Sequence, residues 1–518
     1  MSYKKTIHIY LTAMILLGSV VTSCTKNFDS INTNPDKSTT SRADWLAASL
    51  LTSVTSSDIS TQKSFAQPFM LGKYVLWTEN QESYQYNYIQ RTSAFGRIPV
   101  LRNVTVMNSY AGANADTKNS YLALGHFIRA WQFFQLTMQV GDVPYSEAVQ
   151  GESTGNIKPK YDTQKAVFMG ILNELDTANA LFASGKDFAG DFIYSGSVDK
   201  WRRLTNAFEL HVLMNLYKKT ADPDINVINR FKDIVTNRPL MQSYTDNFAV
   251  TYINSAGYCY PWSNTAVQKN AFVIYPMISS TLIDLLKASQ DRRLFFYAEP
   301  AASQITAGVQ ASDFNAYIGV EPSAAFSVTT SAHSTGKFSD FNKRYVDLYN
   351  AEPVSLFSYW EQQFILAEAT VRGWISGTSA QNYYATGIQA SMNFLVKYTP
   401  ASYMHGVTMD VTYIANYPAT VALTGSAEDQ VKQIITQKYM AGFLQGADYN
   451  AWFENRRTGY PTFMLNSSTN LNTPTTQFPV RWMYPQVELD NNGVNVKAAI
   501  DRQYGGNDDV NQQMWILK

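Results

Sequence analysis

Cysteine usage constrains this chain more than any other feature. There are 2 cysteines in 518 residues, and one of them, Cys24, closes an export leader. The leader begins with Lys4 and Lys5, continues through the apolar stretch Ile15 to Val21, and reaches small residues just before Cys24. A cationic start, an apolar middle and small residues before the cut are the order of a secretory signal. A Cys placed directly after those residues reads as a lipoprotein signal, in which it becomes the acylated first residue of the mature chain. The alternative is an ordinary cleaved signal with an incidental Cys. The segment is too short, and too polar at His8, Thr12, Ser19 and Thr22, for a spanning helix. That leaves Cys259 alone in the body, so no intramolecular disulfide framework is available and a large hydrophobic core must hold the fold.

Charge excludes some partners. Lysine plus arginine and aspartate plus glutamate number 41 each, and removing the leader takes away Lys4 and Lys5 and no acid, which leaves −2. That is no electrostatic footprint for nucleic acid. Charged residues are 16% of the chain, against about 25% in ordinary domains. Aromatics reach 14%, with 33 tyrosines. Tyr and Trp combine a flat apolar face with a hydrogen-bonding tip, which suits neutral, partly apolar ligands as well as a large core.

Residues 1–23 read as the signal, 24–41 as the lipidated Cys and a polar tether, and 42–518 as a single domain beginning near Asp44-Trp45-Leu46. Fully extended, 17 tether residues reach about 55 Å. Helical periodicity then recurs. Tyr121, Leu124, Ile128, Trp131 and Met138 share a face that stops at Gly141. Val167, Ile171, Leu175 and Ala178 follow the capping pair Asp162-Thr163, and Asp199 precedes Trp201, Leu204, Phe208 and Val212. Ser280-Thr281 opens a short helix, Tyr359 to Arg372 stops at Gly373, and Tyr384, Ile388, Met392 and Leu395 form another face. Ser426 with Asp429 makes a weak capping box before Val431, Ile434, Ile435 and Lys438. Residues 64–100, 243–275, 298–347 and 460–518 read as long loops with short β pieces such as Phe248 to Ile253. Loops that long are usually functional.

Few motifs carry chemistry. Gly141 to Ala148 (GDVPYSEA) reads as a structural turn. Glu361 and Glu368 lie seven apart on one helical face, which permits an acid/base pair; hydrogen bonds that hold loops or helix ends are the commoner use. Arg456-Arg457 offers a fork for carboxylate or phosphate, with Glu361 or Glu368 as internal partners. His126 and His211 fall in helical patterns and read as packed or capping. Asp508-Asp509 near Asn507 could touch a cation, although a solvated loop is the commoner reading. Five His and one body Cys provide no metal spacing, and no phosphate loop or dinucleotide fingerprint is present, so no metal or cofactor is expected.

GDVPYSEA, EQQFILAEATVRG, Tyr383-Tyr384 with Gly387-Ile388, and NRRTGYP followed by PVRWMYPQVE together resemble the SusD/RagB-like outer-membrane lipoproteins of Bacteroidetes, in particular the SusD-like 2 branch. The leader and FDSINTNP after it fit the same pattern, and the resemblance covers essentially the whole mature chain. Two departures, Glu209-Leu210-His211 and the terminal Met514-Trp515, touch packing. The resemblance implies a mainly α fold, a tetratricopeptide-like scaffold with a loop-rich ligand face and a few short strands. It implies a binder and not an enzyme, anchored by Cys24 to the outer membrane facing outward. Such a protein captures an oligosaccharide and delivers it to a SusC-like TonB-dependent transporter. Alternatives are the same role for peptides or other oligomers, a surface glycoside hydrolase using Glu361 or Glu368, and a purely structural lipoprotein.

Two loops interleave rings with amides, as a pyranose needs: its C–H faces stack on rings while its hydroxyls seek polar partners. The first offers Trp77, Asn80, Tyr84, Tyr86 and Tyr88, with the last three expected on one strand face. The second offers Tyr258, Tyr260 and Trp262. Family sugar sites resemble an aromatic arc partly supplied by the amino-terminal region, which favours the first loop.

Overall fold

Helices are the main element of the computed structural model, which describes residues 41–446 and 449–518. Residues 43–518 form one compact unit. The leader, Cys24 and the tether to residue 40 lie outside the described residues.

The first half is a helical stack. Ala43–Asp58, Arg97–Ala111, Lys118–Val140, Gln164–Ala183 and Val198–Asn215 pack in succession. Their shared stripe includes Leu50, Leu124, Trp131, Phe168, Trp201 and Phe208, all buried. Lys118–Val140 ends at Gly141, whose φ of +89° is a left-handed backbone that favours glycine. A side chain there would also collide with Gln503 and Tyr504. Asp142 fastens the following turn by accepting from the Gln164 backbone N–H at 2.7 Å and from Arg502 Nε at 3.0 Å. The GDVPYSEA segment is thus a structural turn, as read from sequence.

In the second half, Tyr359–Val371 packs on Ala380–Tyr398 and Ala427–Ala441. A Cβ on Gly387 would sit 2.9 Å from the Phe364 ring, so glycine permits the first of these contacts. Caps follow local chemistry. Ser358, Ser379 and Thr163 each accept a backbone N–H in the first turn, and Ser426 with Asp429 completes a capping box. Two caps lie just before the expected residue: Ser197, two positions before Asp199, caps Val198–Asn215, and Ser279, one before Ser280, caps Ser280–Ala288.

Strands are short. β1 (Val75–Trp77) pairs antiparallel with β3 (Pro276–Ile278), and β2 (Phe248–Val250) with β4 (Val354–Phe357). Three expected loops contain further helix. Gln62–Leu71 overlaps the first, Phe326–Ser334 lies in the third, and Gly493–Tyr504 in the last. Each lacks a side-chain cap, and the first carries Pro68 inside. Tertiary packing overrides weak local signals there.

Two large apolar clusters result, one centred on the amino-terminal helices and one on Phe65, Tyr74, Leu286, Phe364 and Phe443. No helix among the described residues is long and apolar enough to cross a membrane.

Candidate functional site

Where the two clusters meet, the chain leaves a cavity of about 470 Å³, within the range of ordinary ligand pockets. Its walls come from distant segments: Ser57 to Phe69, Arg91 to Arg97, Ser358 to Glu361, Ile435 to Gly446 and Tyr449 to Pro461. Ser57, Ser64, Arg91 and Ser93 are exposed and form the mouth, while Asp58, Arg97, Glu361, Lys438 and Glu454 are buried at the floor.

Three kinds of surface line it. Rings come from Phe65, Phe69, Tyr84, Trp360, Tyr449 and Trp482. Tyr449 adopts a left-handed backbone with φ +58°, unusual for a bulky residue, and packs against Tyr84 at 5.9 Å and Trp482 at 4.7 Å. Small polar groups come from Ser60, Ser64, Gln67 and Ser93, whose side chains make no hydrogen bond among the described residues. The third surface is a chain of paired charges.

That chain runs between helices. Ser358 caps Tyr359–Val371 and so presents Glu361 in its first turn, with Glu368 two turns on. Glu361 accepts from Asn450 Nδ2 at 3.0 Å and lies 3.2 Å from both His211 Nδ1 and Lys438 Nζ. Lys438 also reaches Glu454 at 3.3 Å, and Arg457 binds Glu454 at 2.7 Å. Arg457 further grips Glu368 through two 2.7 Å bonds, and Arg372 joins Glu368 at 2.8 Å. Burial pushes the Glu361 carboxyl up, but Lys438, His211 and Asn450 outweigh it and hold it near about 2. Burial likewise opposes ionisation of Lys438, and Glu454 and Glu361 reverse that, leaving its ammonium above the usual range. The Arg fork therefore has the internal partner Glu368. Both glutamates read as a possible acid/base pair are tied to cations, and Glu368 too is held below the usual range once Arg457 overcomes its burial.

The ring-bearing loops occupy other positions. Residues 83–87 form turns, and 84–88 no strand, so the expected three-ring face is absent. Asn87 has φ +62°, and Lys73 draws the loop inward by donating to the Gln85 carbonyl at 2.6 Å and Asn87 Oδ1 at 2.7 Å. Tyr84 lines the cavity. Tyr86 is buried, donating to the Ala324 carbonyl, and Tyr88 is 40% exposed. Trp77 is 0% exposed against Phe272 and Tyr275, and Asn80 faces solvent. In the second loop Tyr258 is 64% exposed, but Tyr260 and Trp262 are buried edge-on against Phe65 at 6.0 and 5.1 Å. Trp77, Tyr86, Tyr260 and Trp262 thus have no free ring face, and the last two brace a cavity wall from behind.

Other singled-out residues have structural partners. His126 pairs with Glu174, Asp508 with Arg481, and Glu209 with Arg238 at 3.0 Å; Trp515 packs on Phe168. Among the described residues no cluster of three or more His, Cys, Asp or Glu could hold a metal. Sequence reasoning missed the segment Ser60 to Phe69, although Ser and Gln alternate there with Phe65 and Phe69. It also placed Lys438 on an apolar helix face without drawing the consequence, that a lysine there needs a buried acid.

Residues 35–485 match the SusD-like 2 family, described as starch-binding and associating with the outer membrane. The chain belongs to this family. Among solved structures, a SusD homolog from Bacteroides fragilis is 43% identical with a TM-score of 0.88, over 92% of this chain and 100% of that one. A second SusD homolog from Bacteroides fragilis is 36% identical with a TM-score of 0.80, over the same shares. A chitin-binding SusD homolog from Flavobacterium johnsoniae, 21% identical with a TM-score of 0.69 over 92% and 98%, shares the fold. No curated protein matches the chain. The SusD-like chain is mainly helical on a tetratricopeptide-like scaffold, as the resemblance implied.

Proposed function

We propose that this SusD-like protein is a cell-surface lipoprotein that captures an oligosaccharide in the central cavity and delivers it to a SusC-like TonB-dependent transporter. The carrying observation is the cavity lining. The half-buried rings of Tyr84 and Tyr449 line the same cavity as Ser60, Ser64, Gln67 and Ser93, whose side chains make no hydrogen bond among the described residues. Rings accept the C–H faces of a sugar while hydroxyls and amides pair with its alcohol groups, and those hydrogen bonds offset the loss of hydration on binding. Family membership and the chitin-binding relative support a glycan as the ligand. Acylation at Cys24 would hold the body at the membrane and raise its local concentration beside a partner.

Catalysis by Glu361 and Glu368 fits the geometry poorly. A glycoside hydrolase needs one carboxyl kept protonated, and both are held below the usual range beside cations.

Isothermal titration against a glycan panel tests the binding claim, with a peptide pool as control. Binding only to peptides, or release of reducing sugar on incubation, sinks it. Copurification with a large β-barrel protein tests delivery.

A further inference from the structure

The cavity is charge-compensated to an unusual degree. Three cations line it. Arg97 donates to Asp58 at 2.6 Å, Arg91 to Asp508 at 3.1 Å, and Lys438 bridges Glu361 and Glu454. Behind the floor, Arg457 and Arg372 balance the remaining acid, so Lys438, Arg457 and Arg372 face Glu361, Glu454 and Glu368. Asp58 spends its second oxygen on Trp131 Nε1 at 2.7 Å, and Arg97 its second arm on Gln132 Oε1 at 2.8 Å. Each lining ion thus has a counter-ion in place, and the small polar side chains that make no hydrogen bond among the described residues are neutral: Ser60, Ser64, Gln67 and Ser93.

We infer that the cavity selects an uncharged sugar and rejects its carboxylated counterpart. This rests on the reading of the cavity as the glycan site. At the floor a ligand carboxylate would have to strip Arg97 or Lys438 from a buried acid or remain uncompensated at low dielectric, both costly, and at the exposed mouth it would compete with Asp508 for Arg91. A neutral sugar needs only hydroxyl and amide partners, which the mouth and upper wall supply.

The test is isothermal titration of the purified protein with oligosaccharides of glucose and of N-acetylglucosamine, each compared with the same sugar oxidised at C6 to the uronate. The expected result is binding of at least one neutral sugar, with its uronate at least tenfold weaker. Neutral binding should be lost in Ser64→Trp and in Ser93→Trp, two exposed positions on the cavity mouth where a bulky ring is compatible with folding. Uronate binding equal to or tighter than neutral binding overturns the inference and leaves glycan capture standing. So does neutral binding that both variants retain, since the sugar then sits elsewhere. Absence of binding by every saccharide overturns the inference and the glycan reading together.

Discussion

Arg457 holds Glu368 in a two-pronged grip, Nη1 to Oε1 and Nη2 to Oε2, both at 2.7 Å and both side chains buried. This planar match is what a guanidinium offers and an ammonium does not. Removing Arg457 leaves buried Glu368 with Arg372 alone and the network one cation short. Arg457→Met should lower unfolding free energy by about 3–5 kcal/mol, read from urea denaturation. Arg457→Met combined with Glu368→Met should recover part of that loss, because two apolar side chains leave fewer uncompensated charges.

Acid should dismantle the same network. Glu361 has a folded pKa of about 2, below its unfolded value of about 4.3. Its contribution is complete above the unfolded value and is lost as pH falls from there toward about 2. Denaturation midpoints at pH 6 and pH 3 should differ measurably, and Glu361→Gln, already lacking the charge, should show a smaller difference.

Lys73 predicts a slope of the same sign in a higher pH window. Burial holds its amine down at about 7, from 10.5, and two acceptors, the Gln85 carbonyl and Asn87 Oδ1, suffice for a neutral amine. Between those two values the unfolded chain binds the extra proton. Stability from this group therefore rises with pH, by about 1.4 kcal/mol per unit where the two states differ fully by one proton. Comparing wild type with Lys73→Met between pH 7 and 9 isolates it; the variant should have the flatter profile.

The second aromatic loop separates by burial. Trp262→Ala removes a ring packed on Phe65 and Phe341 and should cost about 3–5 kcal/mol. Tyr258→Ala, largely exposed, should change stability by less than about 0.5 kcal/mol and leave sugar affinity in the cavity unchanged. Thermal melts and titrations on both variants check this.

Helices with a complete apolar stripe and a Ser or Thr cap, such as Gln164–Ala183 and Ala427–Ala441, were legible in the sequence because both signals are local. The direction of each ring was not. Tyr86 and Tyr88 share an alternating stretch, yet one is buried and the other exposed, since Lys73 and a left-handed Asn87 turn the backbone between them. The cavity was illegible for a related reason. Tyr84 meets Tyr449 and Tyr74 stacks on Tyr439 at 4.0 Å, contacts across more than 360 positions that no local pattern announces. The leader and Cys24 remain a reading of sequence, outside the described residues.

Those long-range contacts make the cavity a late product of folding. Its near wall is laid down at Ser57 to Phe69 and its far wall only at Ile435 to Gly446 and Tyr449 to Pro461, so a growing chain carries half of the cavity until its last hundred residues have docked. Ligand occupancy would then act as a clasp between the two ends of the polypeptide, raising the melting temperature in proportion to the logarithm of free ligand and marking which molecules have finished folding.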